Sequence, residues 1–471
     1  MRGAGQALIT SRIVSRRWTA RGALILCAAC AGPDPADANA APWRYALTWD
    51  PSRTELRGEV TAPPGDADVV AITEQARPFF ASDEGWSPTR DGAHSLHWTI
   101  TLDAAARTLD DVDRLAARGS GFVGTLDVLL PLPTKGEDDA PFTLQVNAPP
   151  GETFACASES VAEASWRGTL GELRRGPACA LGAIAVRSLA PEYTRITIAD
   201  LAPGANRRAA ALDAHVVACT RATAAWFGRF PVDRLLLLAL PTRGPTISGG
   251  SARGAGGARI VLDVPAPLRP HQLANDWVLI HEMVHLALPS LPPAQHWLEE
   301  GSATYAEPLI QAAAGRVTVE SVWAATIAEF PQGLAPPERG GLDDDSSWGR
   351  TYYGGALFCL IADVRIRQRT ENRRSLRDAL RAVLAADLDI TDFASIDEVL
   401  ALGDEGTGTS VLRELHAATS KQPFAIDLDG LWRDLGVRLD GSRVVFDDTA
   451  PLADIRRELV QGPGAERTPD R

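Results

Sequence analysis

The segment HEMVHLALPSLPPAQHWLEEGSATYAE, which begins at His281, limits most strongly what this chain can fold into. Its first residues continue the apolar run VLIHEMVHLAL, which is typical of a buried helix. Residues four apart lie on one face of a helix, so His281 and His285 are expected side by side. A proline-stiffened turn follows, and WLEEGSATYAE predicts a second helix. The fold therefore has to hold these two helices together.

The two histidines and the glutamate between them match the HExxH pattern of a zinc site. Zinc accepts imidazole and carboxylate ligands in a tetrahedral arrangement that leaves one position open. Glu282 lies about 100° around the helix from His281, where it can reach a water molecule without ligating the metal. The alternative is an amphipathic helix with two incidental histidines. The apolar surroundings favour a metal, here one Zn²⁺ per chain, because buried imidazoles need partners.

A third ligand has to follow the HExxH helix. The HExxHxxGxxH arrangement is excluded, because Leu288 and Leu291 occupy the positions of its glycine and its histidine. His296 is a weaker candidate, because it is expected to precede the second helix. Glu300 is expected in the first turn of that helix, where it can point back at the histidines, whereas Glu299 faces elsewhere. We therefore predict Glu300 as the third metal ligand.

HEMVH followed by WLEEGSATYAE resembles the gluzincin metallopeptidases, and especially the aminopeptidase N and leukotriene hydrolase group and the glycyl aminopeptidases. The resemblance covers residues 271–369. It implies a thermolysin-like catalytic domain in which the glutamate of WLxEG, here Glu300, is the third zinc ligand and Glu282 is the general base. Glu307 matches a family glutamate seven positions after the ligand. It shares a helix face with Thr304, and both are predicted to orient the two histidine ligands.

A second segment, RTYYGGALFCLIADVRI, resembles the YxxGA segment of the same families. Tyr352, Gly355 and Ala356 fit its spacing. The implied role of Tyr352 is to donate a hydrogen bond to the oxyanion of the tetrahedral intermediate. Tyr353 is the adjacent alternative for this role. The other alternative is that the tyrosine only packs on the core at the start of a helix.

One family feature is missing. The aminopeptidases hold the α-amine of the substrate with the glutamate of a GxMEN segment, and the corresponding stretch TISGGSARGAGGARIVLD contains no glutamate. Aminopeptidase activity is therefore not implied. The glycines of this stretch fit either a strand that approaches the substrate or a flexible loop.

The pattern of short elements predicts an α+β fold in three parts. Residues 41–200 read as alternating strands of a β-sandwich-like domain, in which His94 and His97 are expected to be structural. Residues 201–335 are predicted to form the catalytic α/β domain, including a helix from Pro270 to the residues before Pro289. Residues 345–471 are predicted to form a mainly helical domain that carries the active-site tyrosine.

Residues 1–40 are predicted to be an export signal and linker, because an arginine-bearing start precedes a short apolar run. Cys30 follows a lipobox-like sequence and is the predicted site of lipid attachment, which would anchor a bacterial lipoprotein. The first alternative is that the signal is cleaved after the small residues Ala38–Ala40 and the protein is secreted. The second alternative is a cytoplasmic protein. The expected location is thus the periplasm, the membrane surface or the outside of the cell. Attachment to the membrane would be through an N-terminal lipid alone.

Composition limits the classes of molecule that this protein is expected to bind. The net charge of −13 disfavours nucleic acid and anionic membranes, so the expected partner is a peptide or protein substrate. Cys156 and Cys179 are candidates for a disulfide, and Cys219 and Cys359 are predicted to be buried free thiols.

These residues together predict zinc-dependent hydrolysis of peptide bonds in the bacterial envelope or outside the cell. The alternatives are a zinc hydrolase with a non-peptide substrate, and a catalytically inactive metal-binding envelope protein. The presence of both Glu282 and Tyr352 disfavours the inactive protein, because a scaffold needs neither.

Overall fold

A computed structural model of the chain describes residues 41–460 apart from 51, 53–54, 65–69, 83–84, 86, 90–92, 203–205, 335–338 and 424–425. The predicted lipid site, Cys30, lies outside the described residues. Strands form where apolar residues alternate, as in the first one, in which Trp43, Tyr45, Leu47 and Trp49 are buried. The strands are β1 (Trp43–Trp49), β2 (Glu55–Ala62), β3 (Val70–Ala71), β4 (Phe80–Ser82), β5 (Ser87–Pro88), β6 (His94–Thr101), β7 (Leu115–Arg118), β8 (Gly121–Thr125), β9 (Leu132–Pro133), β10 (Pro141–Asn147), β11 (Thr153–Cys156), β12 (Glu159–Ala162), β13 (Ser165–Thr169), β14 (Ala178–Gly182), β15 (Ala185–Leu189), β16 (Arg195–Asp200), β17 (Arg234–Thr242), β18 (Gly250–Arg253), β19 (Arg259–Pro265), β20 (Val437–Asp440) and β21 (Arg443–Phe446).

Two sheets of the N-terminal part pack on one another. The larger has the order β12-β13-β10-β1-β2-β6-β4, with β5 beside β6, and the smaller has the order β11-β14-β8-β7. Their inner faces share one apolar core, in which Tyr45 and Trp98 of the larger sheet meet Leu181 of the smaller. Cys156 and Cys179 are directly opposed on β11 and β14, and both are buried free thiols.

A third sheet, β15-β16-β17-β19-β18, follows in the chain and carries the candidate site at one edge. Its three central strands are parallel, and the two outer strands run antiparallel to them. One face packs on the smaller N-terminal sheet, where Leu236 and Leu238 meet Val123 and Ala180. Every residue of β8 and β14 is buried, because sheets cover both of their faces.

The other face of the third sheet is covered by helices, so that Leu237 and Ile260 share a core with Val216, Ile280 and Phe358. This core continues through the C-terminal helices, and the described residues all belong to one compact unit that begins at Ala41. The predicted division of that unit into domains stays a prediction. The helices are α1 (Leu102–Leu109), α2 (Leu126–Leu129), α3 (Leu170–Arg174), α4 (Asn206–Phe227), α5 (Val278–His285), α6 (His296–Ala313), α7 (Val319–Glu329), α8 (Gly355–Thr370), α9 (Leu376–Ala385), α10 (Ile396–Thr407), α11 (Val411–Thr419), α12 (Leu428–Leu435) and α13 (Ala453–Leu459).

The α+β prediction is confirmed, with a β-rich N-terminal part, a mixed sheet with helices and a helical C-terminal part. The segment SRVVFDD near the C-terminus contains the last strand, β21. None of the helices formed by the described residues is long and apolar enough to span a bilayer. Cys219 and Cys359 are buried free thiols, as predicted.

The helix predicted to begin at Pro270 is wrong in its boundaries. Pro270–Leu273 forms only a 3₁₀ turn, and α5 begins at Val278. The reason is Asp276, whose carboxylate accepts the backbone N–H groups of Val278 at 3.0 Å and Leu279 at 3.4 Å. A side chain that satisfies these first amides starts a helix at that point.

Candidate metal centre

Helix α5 is fixed in place at its first turn. The Asp276 carboxylate that caps it is buried, and its Oδ2 atom lies 2.7 Å from Nε2 of His215 on α4. Arg316 adds a hydrogen bond from its guanidinium to the backbone carbonyl of Asp276 at 3.3 Å. Buried charges are retained only when they are paired in this way. The HExxH segment is therefore held by its neighbours before any ligand is considered.

The structure brings His281, His285 and Glu300 together. Oε2 of Glu300 lies 3.3 Å from Nε2 of His281 and 3.4 Å from Nε2 of His285. One potential ligand atom from each of the three lies within 4.8 Å of the others. Zinc bonds of about 2.0–2.1 Å at tetrahedral angles put ligand atoms about 3.3–3.4 Å apart. The three side chains thus fit a zinc ion.

The electrostatics of Glu300 suit an anionic ligand. Burial opposes its ionisation, but hydrogen bonds from His281, His285 and His296 outweigh that effect and hold its pKa well below the usual range. The two carboxylate oxygens have different neighbours. Oε2 faces the two candidate histidine ligands, and Oε1 lies 3.2 Å from Nε2 of His296. His296 thus contacts Oε1, and Oε2 faces the candidate metal centre.

The position of His296 differs from the prediction that it precedes the second helix. It is the first residue of α6, and its Nδ1 atom lies 2.7 Å from Oε2 of Glu299. Hydrogen bonds to Glu299 and then Glu300 raise its pKa to about 9. Glu299 also accepts the backbone N–H of Leu291, which fixes the turn before the helix. The spacing of His296 to Glu300, four residues on one helix, was the signal for this contact.

Glu282 lies under the edge strand β18. A Cβ atom on Gly250 would come within 2.8 Å of Cγ of Glu282, so only glycine leaves room for the carboxylate here. Burial raises the pKa of Glu282 to about 7, partly offset by His281 and by the backbone amide of Ala252. A carboxyl group with a raised pKa can accept and return a proton near neutral pH.

Tyr352 reaches the centre and Tyr353 does not. A π-helical turn, Arg350–Gly354, precedes α8 and carries both. The Tyr352 ring stacks on His281 at a centroid distance of 6.3 Å, and burial followed by Glu300 raises its pKa to about 12. The Tyr353 hydroxyl instead donates to Glu329 at 3.0 Å. Tyr352 is thus protonated at neutral pH and able to donate a hydrogen bond.

Two glycines bring Tyr352 to the metal ligands. A Cβ atom on Gly301 would lie 2.3 Å from the backbone of Gly355, and one on Gly355 would lie 2.0 Å from the carbonyl of Trp297. Helix α6 and the start of α8 therefore touch backbone to backbone. The glycines of the WLxEG and YxxGA segments are explained by this contact.

Glu307 and Thr304 are the residues that the sequence predicts to orient the histidine ligands. In the described part of the chain, neither Glu307 nor Thr304 makes a hydrogen bond to a candidate histidine ligand. Glu307 accepts a hydrogen bond from Gln311, and burial raises its pKa to about 8. The buried Thr304 hydroxyl has no hydrogen-bond partner among the described residues. The buried pair of His215 and Asp276, which sequence reasoning missed, supports the histidine-bearing helix instead; the Asp two residues before the helix was its signal.

Part of the glycine-rich stretch before the HExxH segment, Gly250–Arg253, forms strand β18 at the edge of the third sheet, where it pairs with β19. The glycines that follow, Gly254, Gly256 and Gly257, lie in the turn between β18 and β19. The wall that β18 provides ends at Arg253, whose side chain is 57% exposed. The cleft has a volume of about 350 Å³. It is lined by Gly250, Ser251, Ala252, Arg253, His281, Glu282, His285, Ser290, His296, Glu299, Glu300, Tyr352 and Ile390.

Comparison with protein-family models finds no match, and comparison with curated protein sequences finds none either. Solved structures do match. An aminopeptidase N family protein from Idiomarina loihiensis aligns over 84% of this chain and 78% of its own, with a TM-score of 0.62 and 14% identity. The chain has the fold of that family. An M1 zinc metallopeptidase from Deinococcus radiodurans aligns over 82% of this chain and 95% of its own, with a TM-score of 0.51 and 17% identity.

The predicted resemblance to the gluzincin aminopeptidases is confirmed by these two structures at the level of the fold. The β-rich N-terminal part, the sheet with the HExxH helix and the helical C-terminal part of this M1-type fold follow one another as predicted. At such low identity the likeness carries the fold alone. The activity has to be argued from the centre itself.

Proposed function

We propose that the chain is a zinc-dependent peptidase. The observation that carries this proposal is the spacing of 3.3 and 3.4 Å between Oε2 of Glu300 and the two histidine Nε2 atoms. The M1-type fold supports the same conclusion. His281, His285 and Glu300 would hold one Zn²⁺ ion per chain, at the floor of a cleft that is open to an extended substrate.

Zinc in such a site polarises a carbonyl group and lowers the pKa of water from about 15.7 to about 7. The protein's own residues supply the proton transfers. Glu282 takes the proton of the attacking water and returns it to the leaving amine, so that peptide-bond cleavage is balanced. Tyr352, protonated at neutral pH, donates a hydrogen bond to the developing oxyanion. His296 keeps Glu300 turned toward the histidines.

A mixed peptide library tests the proposed activity. The zinc-loaded protein is incubated with the library beside the Glu282→Gln variant, and products are identified by mass spectrometry. Cleavage by the first alone supports a peptidase whose chemistry depends on this centre. An intact library with zinc bound to the protein would reject the proposal in favour of a non-peptide substrate or an inactive binding protein.

The role of Tyr352 gives a second expected result. Tyr352→Phe removes the hydrogen-bond donor and keeps the ring that stacks on His281. We expect kcat to fall about 10²- to 10³-fold with KM nearly unchanged, the size of losing one oxyanion donor. Tyr353→Phe is the matched control, because that hydroxyl donates to Glu329. Equal losses in both variants would remove Tyr352 from the mechanism.

The cleft also gives an expected result for blocked substrates. Its three carboxylates already have partners, since Glu299 binds His296, Glu300 lies among histidines and Glu282 has the Ala252 amide. The β18 wall ends in Arg253, a cation. We expect N-acetylated peptides to be cleaved as fast as peptides with a free amine. In an enzyme with a dedicated ammonium site, acetylation would instead lower kcat/KM at least about tenfold. A strict requirement for a free amine, measured as kcat/KM on matched peptide pairs, would contradict this.

We also propose that the protein is exported to the bacterial envelope or beyond. The support is the arginine-bearing start and the short apolar run within residues 1–40, with Cys30 as the lipid-attachment site. Mass analysis of the mature N-terminus distinguishes a lipidated cysteine, cleavage after Ala40 and an unprocessed chain.

A further inference from the structure

A second pocket lies between the N-terminal part and the third sheet, apart from the candidate metal centre. It has a volume of about 260 Å³ and shares no lining residue with the metal-centre cleft. One wall comes from β11, β12 and β13, and the other comes from β15, β16 and β17. The proposed peptidase chemistry gives this pocket no role, so its lining has to be explained separately.

Two arginines lie side by side in the pocket. Arg195 begins β16 and Arg234 begins β17, and the two are register partners on these parallel strands. Register partners on neighbouring strands lie about 4.8 Å apart and point to the same face of the sheet. Like charges placed in this way repel one another and destabilise a sheet. The arrangement therefore calls for a negative charge between or above the two side chains.

The protein supplies no such charge from its described carboxylates. In this part of the chain, neither Arg195 nor Arg234 forms an ion pair. Glu159 is close enough for both charges to act on it, and its pKa is lowered first by a hydrogen bond from Arg167 and then by the two pocket arginines. Both of its oxygens already accept from Arg167, at 2.8 and 3.0 Å. Two positive charges thus remain at the pocket of a protein whose net charge is −13.

The pocket also contains hydroxyl groups that are free to donate. Ser158 is 8% exposed, and its buried hydroxyl has no hydrogen-bond partner among the described residues. The Cys156 sulfur beside it accepts the backbone N–H of Ser158 instead, at 3.4 Å. Ser188 and Thr197, register partners on β15 and β16, add two more hydroxyls to the lining. Buried hydroxyls are nearly always hydrogen-bonded, so that of Ser158 is suited to a group inside the pocket.

The remaining surface of the pocket is apolar. Phe154 and Trp166 line it and pack edge to face, with 5.0 Å between their ring centroids. Val186 and Leu236 add aliphatic surface from the third sheet. Pockets that combine an apolar lining with a few convergent polar groups are typical of sites for small molecules.

We propose that this pocket binds a small molecule that carries an oxyanion group, a phosphate or a carboxylate, on an apolar body. Guanidinium groups match the oxygens of both kinds of oxyanion with two parallel hydrogen bonds. Arg195 and Arg234 would hold the charge, the hydroxyl of Ser158 would donate to a further oxygen, and the apolar body would lie against Phe154 and Trp166. The inference does not depend on the proposed peptidase function.

Phenyl phosphate and benzoate are suitable probes, because they carry the two kinds of oxyanion on the same flat ring. Each is titrated into the full-length zinc-loaded protein and followed by calorimetry. We expect at least one probe to bind with a Kd below about 1 mM, and the tighter one shows whether phosphate or carboxylate is preferred. Arg195→Gln and Arg234→Gln should each weaken that binding at least about tenfold, because each removes a charged hydrogen-bond donor.

Arg253→Gln is the matched control, because Arg253 is also an exposed arginine but lines the metal-centre cleft. It should leave the Kd unchanged. Failure of both probes to bind would overturn the inference. Binding that both pocket variants retain would overturn it as well, since the probe would then lie at another site, such as the zinc ion.

Thermal unfolding separates a binding role from a structural one. Without a probe, Arg195→Gln and Arg234→Gln should melt no lower than the wild type, because each removes a repulsion. Ser158→Ala should also cost no stability, because it removes a hydroxyl without a partner. All three should lose most of the rise in Tm that the probe gives the wild type. Lower melting of the variants without a probe would assign these side chains to the fold and reject the site. Because no readout uses peptide turnover, this result would leave the proposed peptidase unaffected.

Discussion

The Glu282→Gln variant is expected to bind zinc as the wild type does and to lose peptide cleavage about 10²- to 10⁴-fold. The amide keeps the size and burial of the side chain beneath Gly250, so the fold and the three ligand side chains should persist. It cannot accept the proton of the attacking water, and the leaving amine then has no donor. The loss should appear in kcat, with KM nearly constant.

The measurement is kcat and KM on one peptide, with the zinc content of the same sample determined by atomic emission. Glu329→Gln is a suitable control, because this exposed glutamate contacts Tyr353 away from the cleft. Turnover by Glu282→Gln at the wild-type rate would remove the general base from the mechanism. Loss of zinc together with activity would instead show that the amide disturbs the ligand cluster.

The second large effect is expected for Glu300→Ala. The substitution removes the carboxylate that lies between the two histidines, so the zinc affinity should fall by about 100-fold or more. His281 and His285 then form an incomplete site. Dialysis of the zinc-loaded protein against a weak chelator, followed by metal analysis, measures the change, and activity should fall with the bound zinc.

Glu299→Ala is the matched control, since it removes the adjacent carboxylate and leaves Glu300 in place. It should keep the zinc content while loosening the turn that Glu299 fixes through Leu291. Unchanged zinc in Glu300→Ala would move the third ligand to His296, whose Nε2 atom lies 3.2 Å from Oε1 of Glu300. The double variant with His296→Ala would then identify it.

Local sequence signals identified the elements that carry the centre. The apolar run with two histidines four apart predicted a buried helix, and α5 contains both. The proline-rich turn followed by WLEEGSATYAE predicted a second helix, which is α6. Both predictions rest on periodicity within a few turns, which the sequence encodes directly. The helix start at Val278 was missed, because a side-chain cap competes with the preceding pattern.

Contacts between distant segments could not be read from local patterns. The choice of Tyr352 over Tyr353 depends on the direction of a π-helical turn, and adjacent residues of such a turn face different ways. An orienting role was expected for Glu307 from a family match and for Thr304 from the shared helix face, and the structure pairs Glu307 with Gln311. The pair of His215 and Asp276 joins residues on separate elements, and only packing reveals it.

The sequence by itself determined the chemistry that is available to this protein: two imidazoles and a glutamate on one helix, and a further carboxylate on the next. Residue type and helical spacing are local properties, so they can be identified from the sequence without knowledge of the fold. The tertiary structure decided how these groups meet. Backbone contact at Gly301 and Gly355 brings Tyr352 to the ligands, and Gly250 places strand β18 over Glu282. Such distances arise from packing between elements far apart in the chain, which no local pattern encodes.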